Sequence, residues 1–119
     1  MDRLIKNILK QSCNKNHYIR TNCAEYVLII LLTYPKNLVD KYSVEIYDYL
    51  KGAIQDSNAE VRRRARLVFI KYSSVYRKLA HKLILVSVPM SYQKAIYDDF
   101  ISYGIDAEKT MLFNGAEFE

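Results

Sequence analysis

Apolar residues recur along this chain at spacings of three and four, separated by short polar gaps, and that rhythm is helical. Leu4, Ile5, Ile8 and Leu9 predict a first helix over about residues 2–13. Ile19, Cys23, Tyr26, Val27, Ile30 and Leu31 predict a second over about 18–34. Ile46, Tyr47, Leu50 and Ile54 mark a third over about 43–55, with Ser43 as its N-cap. Val61, Ala65, Val68, Phe69 and Tyr72 mark a fourth over about 58–74, and Leu79, Leu83 and Val86 a further element over about 75–86. A last helix is expected over about 91–103, capped by Ser91 and closed by Gly104, where a left-handed residue ends a helix. The chain has only three Gly and two Pro, and Pro35 and Pro89 both stand between periodic stretches. A sandwich or barrel would need a turn signal every ~8–12 residues. The fold class is therefore all-α.

Two of these stretches repeat one another with a shift of 42 residues. The segment from Asn14 to Ala24 aligns with the segment from Asp56 to Arg66, both reading Asx-x-Asn-x-x-(β-branched)-Arg-x-x-(small). A period near 40, in which an Asx-rich turn joins two helices, predicts a HEAT-type solenoid of stacked helical hairpins, about three repeats long. Asn14 and Asp56 are suited to accept hydrogen bonds from free amides at each turn. Cys23-Ala24 and Ala65 let neighbouring helices approach closely. The repeats occupy residues 1–104. Residues 105–119 lose the periodicity and are mostly acidic, so they read as a tail or linker with Met111, Leu112 and Phe113 as its apolar points.

The most apolar run, Tyr26 to Leu32, is flanked by Glu25 and by Thr33-Tyr34-Pro35-Lys36. It falls short of the ~18–20 residues that a membrane span requires, and it suits a helix in the middle of a stack. The N-terminus reads as lacking a signal peptide, and two cysteines suit a reducing compartment. These features predict an intracellular, soluble protein with no membrane partner. Net charge is +5 but uneven. Residues 1–59 hold eight Lys/Arg against six Asp/Glu, residues 60–82 eight against one, and residues 83–119 two against six. The central block is the cationic part, and it suits an acidic partner surface.

Catalytic signatures are missing. There is no G-x-S-x-G, no P-loop and no acid pair at a diagnostic spacing. Cys13, His17 and Cys23 offer three ligands at a spacing that matches no zinc module, so neither a metal nor a cofactor is expected. Asp98-Asp99 reads as a solvated helix face. The chain does not read as an enzyme.

The basic run Arg62-Arg63-Arg64-Ala65-Arg66 is divided by helical geometry, since successive residues turn by about 100°. Arg62 follows Asp56 by six residues, as Arg20 follows Asn14. That spacing suits a ladder of side-chain bonds between turns, and partner contact suits the same two arginines equally. Arg64 reads as solvated or as a salt-bridge partner. Lys15, Asn16 and His17 at the first turn, with Asn58 and Arg63 at the second, are the positions that stability explains least. Two such tips side by side, with helix N-termini behind them, would suit carboxylates.

Residues 54–66, then Phe69, Tyr72 and Tyr76, then Ser91-Tyr92-Gln93-Lys94-Ala95-Ile96, resemble the C-terminal HEAT repeats of a TOG domain. Within that class the chain looks most like the CLASP group of microtubule-associated proteins. There too a D-x-x-x-x-x-R-x-x-A-R helix is followed by a short helix and an S-x-Q-K-A segment. The resemblance covers about residues 5–100 and implies a non-enzymatic tubulin- or microtubule-binding module of the cytoplasm and spindle cytoskeleton. It implies contact through the intra-repeat loops, which carries over to Lys15, Asn16 and His17 at the first turn and to Arg62 and Arg63 at the second; the reading of the turns adds Arg20 and Asn58 as candidate tubulin contacts. The chain departs from the group in having about three repeats where a TOG domain has six, in having no Trp, and in carrying Ser57 where several tubulin-binding members have a basic residue. Two alternatives stand beside this reading. One is a basic HEAT module on nucleic acid, which the clustering of Arg around one helix start disfavours. The other is a scaffold that associates, with itself or a partner, through the exposed terminal helix bearing Leu4, Ile5, Ile8 and Leu9.

Overall fold

The apolar stripes fold into a row of helical hairpins. The computed structural model describes residues 2–105. Helix α1 (Asp2–Lys10) tightens into a 3-10 turn (Gln11–Cys13) and is followed by α2 (His17–Thr33). A short α3 (Lys36–Asp40) leads to α4 (Ser43–Ala53) and α5 (Ala59–Val75). Helix α6 (Arg77–Lys82) runs on into a π-helical turn (Leu83–Ser87), and α7 (Met90–Ser102) closes the described region. Among the described residues there is no strand.

The hairpins stack in register. Helix α1 packs against α4, α2 lies along α5, α4 meets the π turn, and α7 crosses α5. Two ion pairs fix the direction of the central contact. Arg20, near the start of α2, meets Asp56 just ahead of α5, and Glu25, further along α2, meets Arg64 further along α5. Helices α2 and α5 therefore run side by side in the same sense, as successive solenoid repeats do. Ala24 and Ala65 are completely buried at this level, which lets the two helices approach closely. Phe69, Tyr72, Phe100, Ile5, Ile46 and Leu50 fill the continuous core. The rings of Phe69 and Phe100 lie 6.2 Å apart, joining α5 to α7. The buried Tyr72 hydroxyl donates to the Ser43 carbonyl at 2.9 Å, joining α5 to α4.

Several boundaries differ from expectation for identifiable reasons. Helix α3 starts where Pro35 reads as a break: its ring presets helical φ, and its carbonyl accepts from the Leu38 and Val39 amides. Ser43 and Ser91 are not N-caps. Tyr42 and Pro89 hold those positions, without a side-chain capping bond. Gly104 does end α7 as expected, at φ 74°. Its amide donates to Ile101, and the Ile105 amide reaches back to Phe100, the paired bonds of a Schellman motif. The expected tail lies outside the described residues, apart from Ile105, which packs against the core. Helix α2, apolar all round in sequence, is covered by α1 and α5 on one side only, leaving Tyr26, Ile29 and Leu32 about half exposed or more. No helix among the described residues is long and apolar enough to cross a membrane.

Candidate functional site

The turn entering α2 and the turn entering α5 are built from the same bonds, one repeat apart. Asn14 Oδ1 accepts from the Asn16 amide and Asp56 Oδ1 from the Asn58 amide, each at 2.9 Å. Asn16 Oδ1 then caps α2 by accepting from the Tyr18 amide at 2.9 Å. Asn58 Oδ1 caps α5 by accepting from Glu60 at 2.9 Å and Val61 at 3.2 Å. The arginine six residues on closes each turn: Arg20 Nη1 donates to the Asn14 carbonyl at 2.9 Å and Arg62 Nη1 to the Asp56 carbonyl at 2.7 Å. Asn and Asp serve here because their short acceptors reach amides two or three residues ahead.

One residue turns this repetition into a ladder. Asp56 receives Arg20 across the joint between hairpins, Nε to Oδ2 at 2.8 Å and Nη2 to Oδ1 at 3.0 Å. The side chains are only 15% and 12% exposed, so the fork is shielded from water. Burial pushes the Asp56 carboxyl up, but the bonds from Arg20 and the Asn58 amide and the charges of Arg20 and Arg62 outweigh it. The group is held below its ordinary range. The bond to Asp56 likewise raises the Arg20 guanidinium. Arg20 Nη1 also reaches the Lys15 carbonyl at 3.1 Å, fixing the loop that presents the Lys15 side chain.

The ladder continues to a third turn that lacks the Asx pattern. Gln55, next to Asp56, donates through Nε2 to the Ser87 carbonyl at 3.2 Å, and the Tyr47 and Ser87 hydroxyls share a bond of 2.8 Å. From within α7, buried Gln93 donates to the Ile84 carbonyl at 3.0 Å and the Val88 carbonyl at 2.9 Å. Gln93 thereby ties its turn to the following helix as Arg20 and Arg62 tie theirs. Three turns, at residues 14–16, 56–58 and 87–89, form one contiguous edge.

The expected site residues divide into two kinds along this edge. Lys15 is an exposed tip whose ammonium makes no ion pair among the described residues. His17 is half-buried and lies against the Tyr18 ring, centroids 4.2 Å apart. Arg63 is half exposed but grips Glu60 with a fork, Nε to Oε2 at 3.0 Å and Nη2 to Oε1 at 2.7 Å. That contact, joined by Arg64, holds the Glu60 carboxyl down at about 2. The others build the turns: Asn16 and Asn58 are caps, Arg20 makes a bond between turns as the six-residue spacing suggests, and Arg62 closes its own turn. Arg64 is the salt-bridge partner, reaching Glu25 at 2.8 Å and Glu60 at 3.0 Å.

Other residues of the edge escape sequence reasoning. Asp99, read as part of a solvated face, instead turns toward α5 and binds Arg66 at 2.7 Å, both about one-fifth to one-quarter exposed. Only its neighbour Asp98 stays on the solvated face, paired with Lys94. Gln55, Ser87 and Gln93 carry no Asx signal; the available hint is Pro89 followed by Gln93 in the place of the closing arginine. Chemically the edge offers amides and cations. Among the described residues no group of three His, Cys, Asp or Glu is gathered. Cys13 is exposed, while Cys23 is buried with Sγ donating to the Ile8 carbonyl, and burial pushes its thiol up to about 12.

Stacked helical hairpins with their intra-repeat turns aligned define a HEAT-type helical-repeat fold. The model of the CLASP N-terminal family matches residues 1–97, and the chain belongs to that family of microtubule-associated, non-enzymatic proteins. No curated protein and no solved structure matches it.

Proposed function

We propose that the edge formed by the intra-repeat turns docks on the acidic surface of tubulin, making the chain a non-enzymatic module that regulates microtubule dynamics in the cytoplasm and spindle. The observation that supports this reading most directly is the Arg20–Asp56 fork, which places the first two turns side by side. Lys15 and His17 stand on one turn and Arg63 just inside the next, with two capped helix N-termini behind them adding partial positive charge. Asn16, Arg20, Asn58 and Arg62 act by holding the turns in shape for the partner. Nucleic acid suits the surface less well: three cations of α5, Arg63, Arg64 and Arg66, are each matched to a carboxylate.

Charge reversal tests the reading. Lys15→Glu combined with Arg63→Glu is expected to abolish co-sedimentation with microtubules while leaving thermal stability nearly unchanged. Lys15 is exposed at a loop tip, and the Arg63–Glu60 pair that the second reversal breaks is about half exposed on both sides, so its loss costs little. Retained co-sedimentation of the double variant would remove the edge from the interface.

A further inference from the structure

We infer that the edge grips its partner through apolar contacts at the first and third turns, from Tyr18, Val86 and Met90, and that the cations chiefly guide approach. The inference rests on the proposed docking of this edge. The two most exposed large apolar side chains among the described residues are Val86, at 72%, and Tyr18, at 70%. A single exposed apolar residue carries no message. Here, however, both of them flank turns of the same edge, at the two ends of the hydrogen-bonded row that runs from Lys15 through Asp56 to Ser87. Met90, 58% exposed, is the first residue of α7, immediately after the turn that Val86 precedes.

The third turn has no other means of recognition. Residues 83–90 contain no charged residue, and the nearest cation in sequence, Lys82, lies over the Tyr47 ring at 5.9 Å. What the third turn offers is a small apolar knob held firmly by Gln93, Gln55 and Tyr47. Tyr18 is held as rigidly, because its amide is the group that Asn16 caps and its ring rests on His17. Exposed charges mainly raise encounter rates and set salt dependence, whereas rigid apolar side chains that become buried supply most of the lasting affinity. The partner is the acidic tubulin surface of the proposed function, and the inference adds that this surface offers apolar recesses to Tyr18, Val86 and Met90.

The test uses the full chain in microtubule co-sedimentation at two ionic strengths, with thermal melting as a check on folding. Tyr18→Ser combined with Val86→Ser and Met90→Ser is expected to weaken binding roughly tenfold or more at both ionic strengths, leaving the salt dependence unchanged. Leu32→Ser, 59% exposed on the free flank of α2 and away from the turns, is the control and is expected to bind like wild type. Wild-type affinity in the triple variant overturns the inference, as does an equal loss in the Leu32 control. A wild-type chain that does not sediment at all removes the parent reading, a result distinct from either.

Discussion

Arg20 and Asp56, 36 residues apart, meet as a two-pronged fork across the joint between the first and second hairpins. Asp56 also organises its own turn through the Asn58 amide, so one carboxylate serves two repeats. Asp56→Ala is expected to cost about 2 kcal/mol, because it leaves a shielded guanidinium without its anion. In a domain of this size that corresponds to a fall of roughly 10 °C in melting temperature.

Acid should weaken the fold in a defined window. Asp56, Asp40 and Glu60 all have carboxyls held below their ordinary values of 3.8, 3.8 and 4.5. For Asp40 the leading cause is the bond from the Tyr76 hydroxyl, and for Glu60 the contact from Arg63. A depressed folded value means that the stabilisation is complete above the unfolded value and is lost as pH falls through the folded one. Melting temperature is therefore expected to be flat in this respect above about pH 5 and to fall from about pH 4.5 toward 2. Asp56→Asn should start lower and fall less steeply over that range.

The two caps should be separable from the ladder. Asn16→Ala and Asn58→Ala are each expected to lower unfolding free energy by about 1 kcal/mol in urea titrations. The loss at Asn58 should be the larger, since it accepts from two amides where Asn16 accepts from one. Asn58→Ser, which keeps an oxygen in reach, should recover most of it.

What the sequence revealed follows from how local each interaction is. The shift of 42 residues exposes Asn14, Asp56, Arg20 and Arg62 together, because each turn is closed by bonds spanning six residues or fewer. The fork between turns then follows from stacking. Pairs such as Arg66–Asp99 and Glu25–Arg64 depend on how far one helix rotates against another, and no period in the sequence records that rotation. Helix starts at Tyr42 and Pro89 displaced the serines for a similar reason: the preceding chain sets the first free carbonyl, and Pro89 accepts from both Tyr92 and Gln93. Pro89 marks the place of the third turn, but its bonding was hidden because Gln93 replaces the arginine and no Asx precedes it.

Binding of the aligned turns to the microtubule surface is the central claim. Co-sedimentation of the wild-type chain at low and at near-physiological ionic strength measures this. The expected result is clear sedimentation at low salt that weakens as salt screens Lys15 and its neighbours. A chain that stays in the supernatant at low ionic strength while remaining folded would contradict the account.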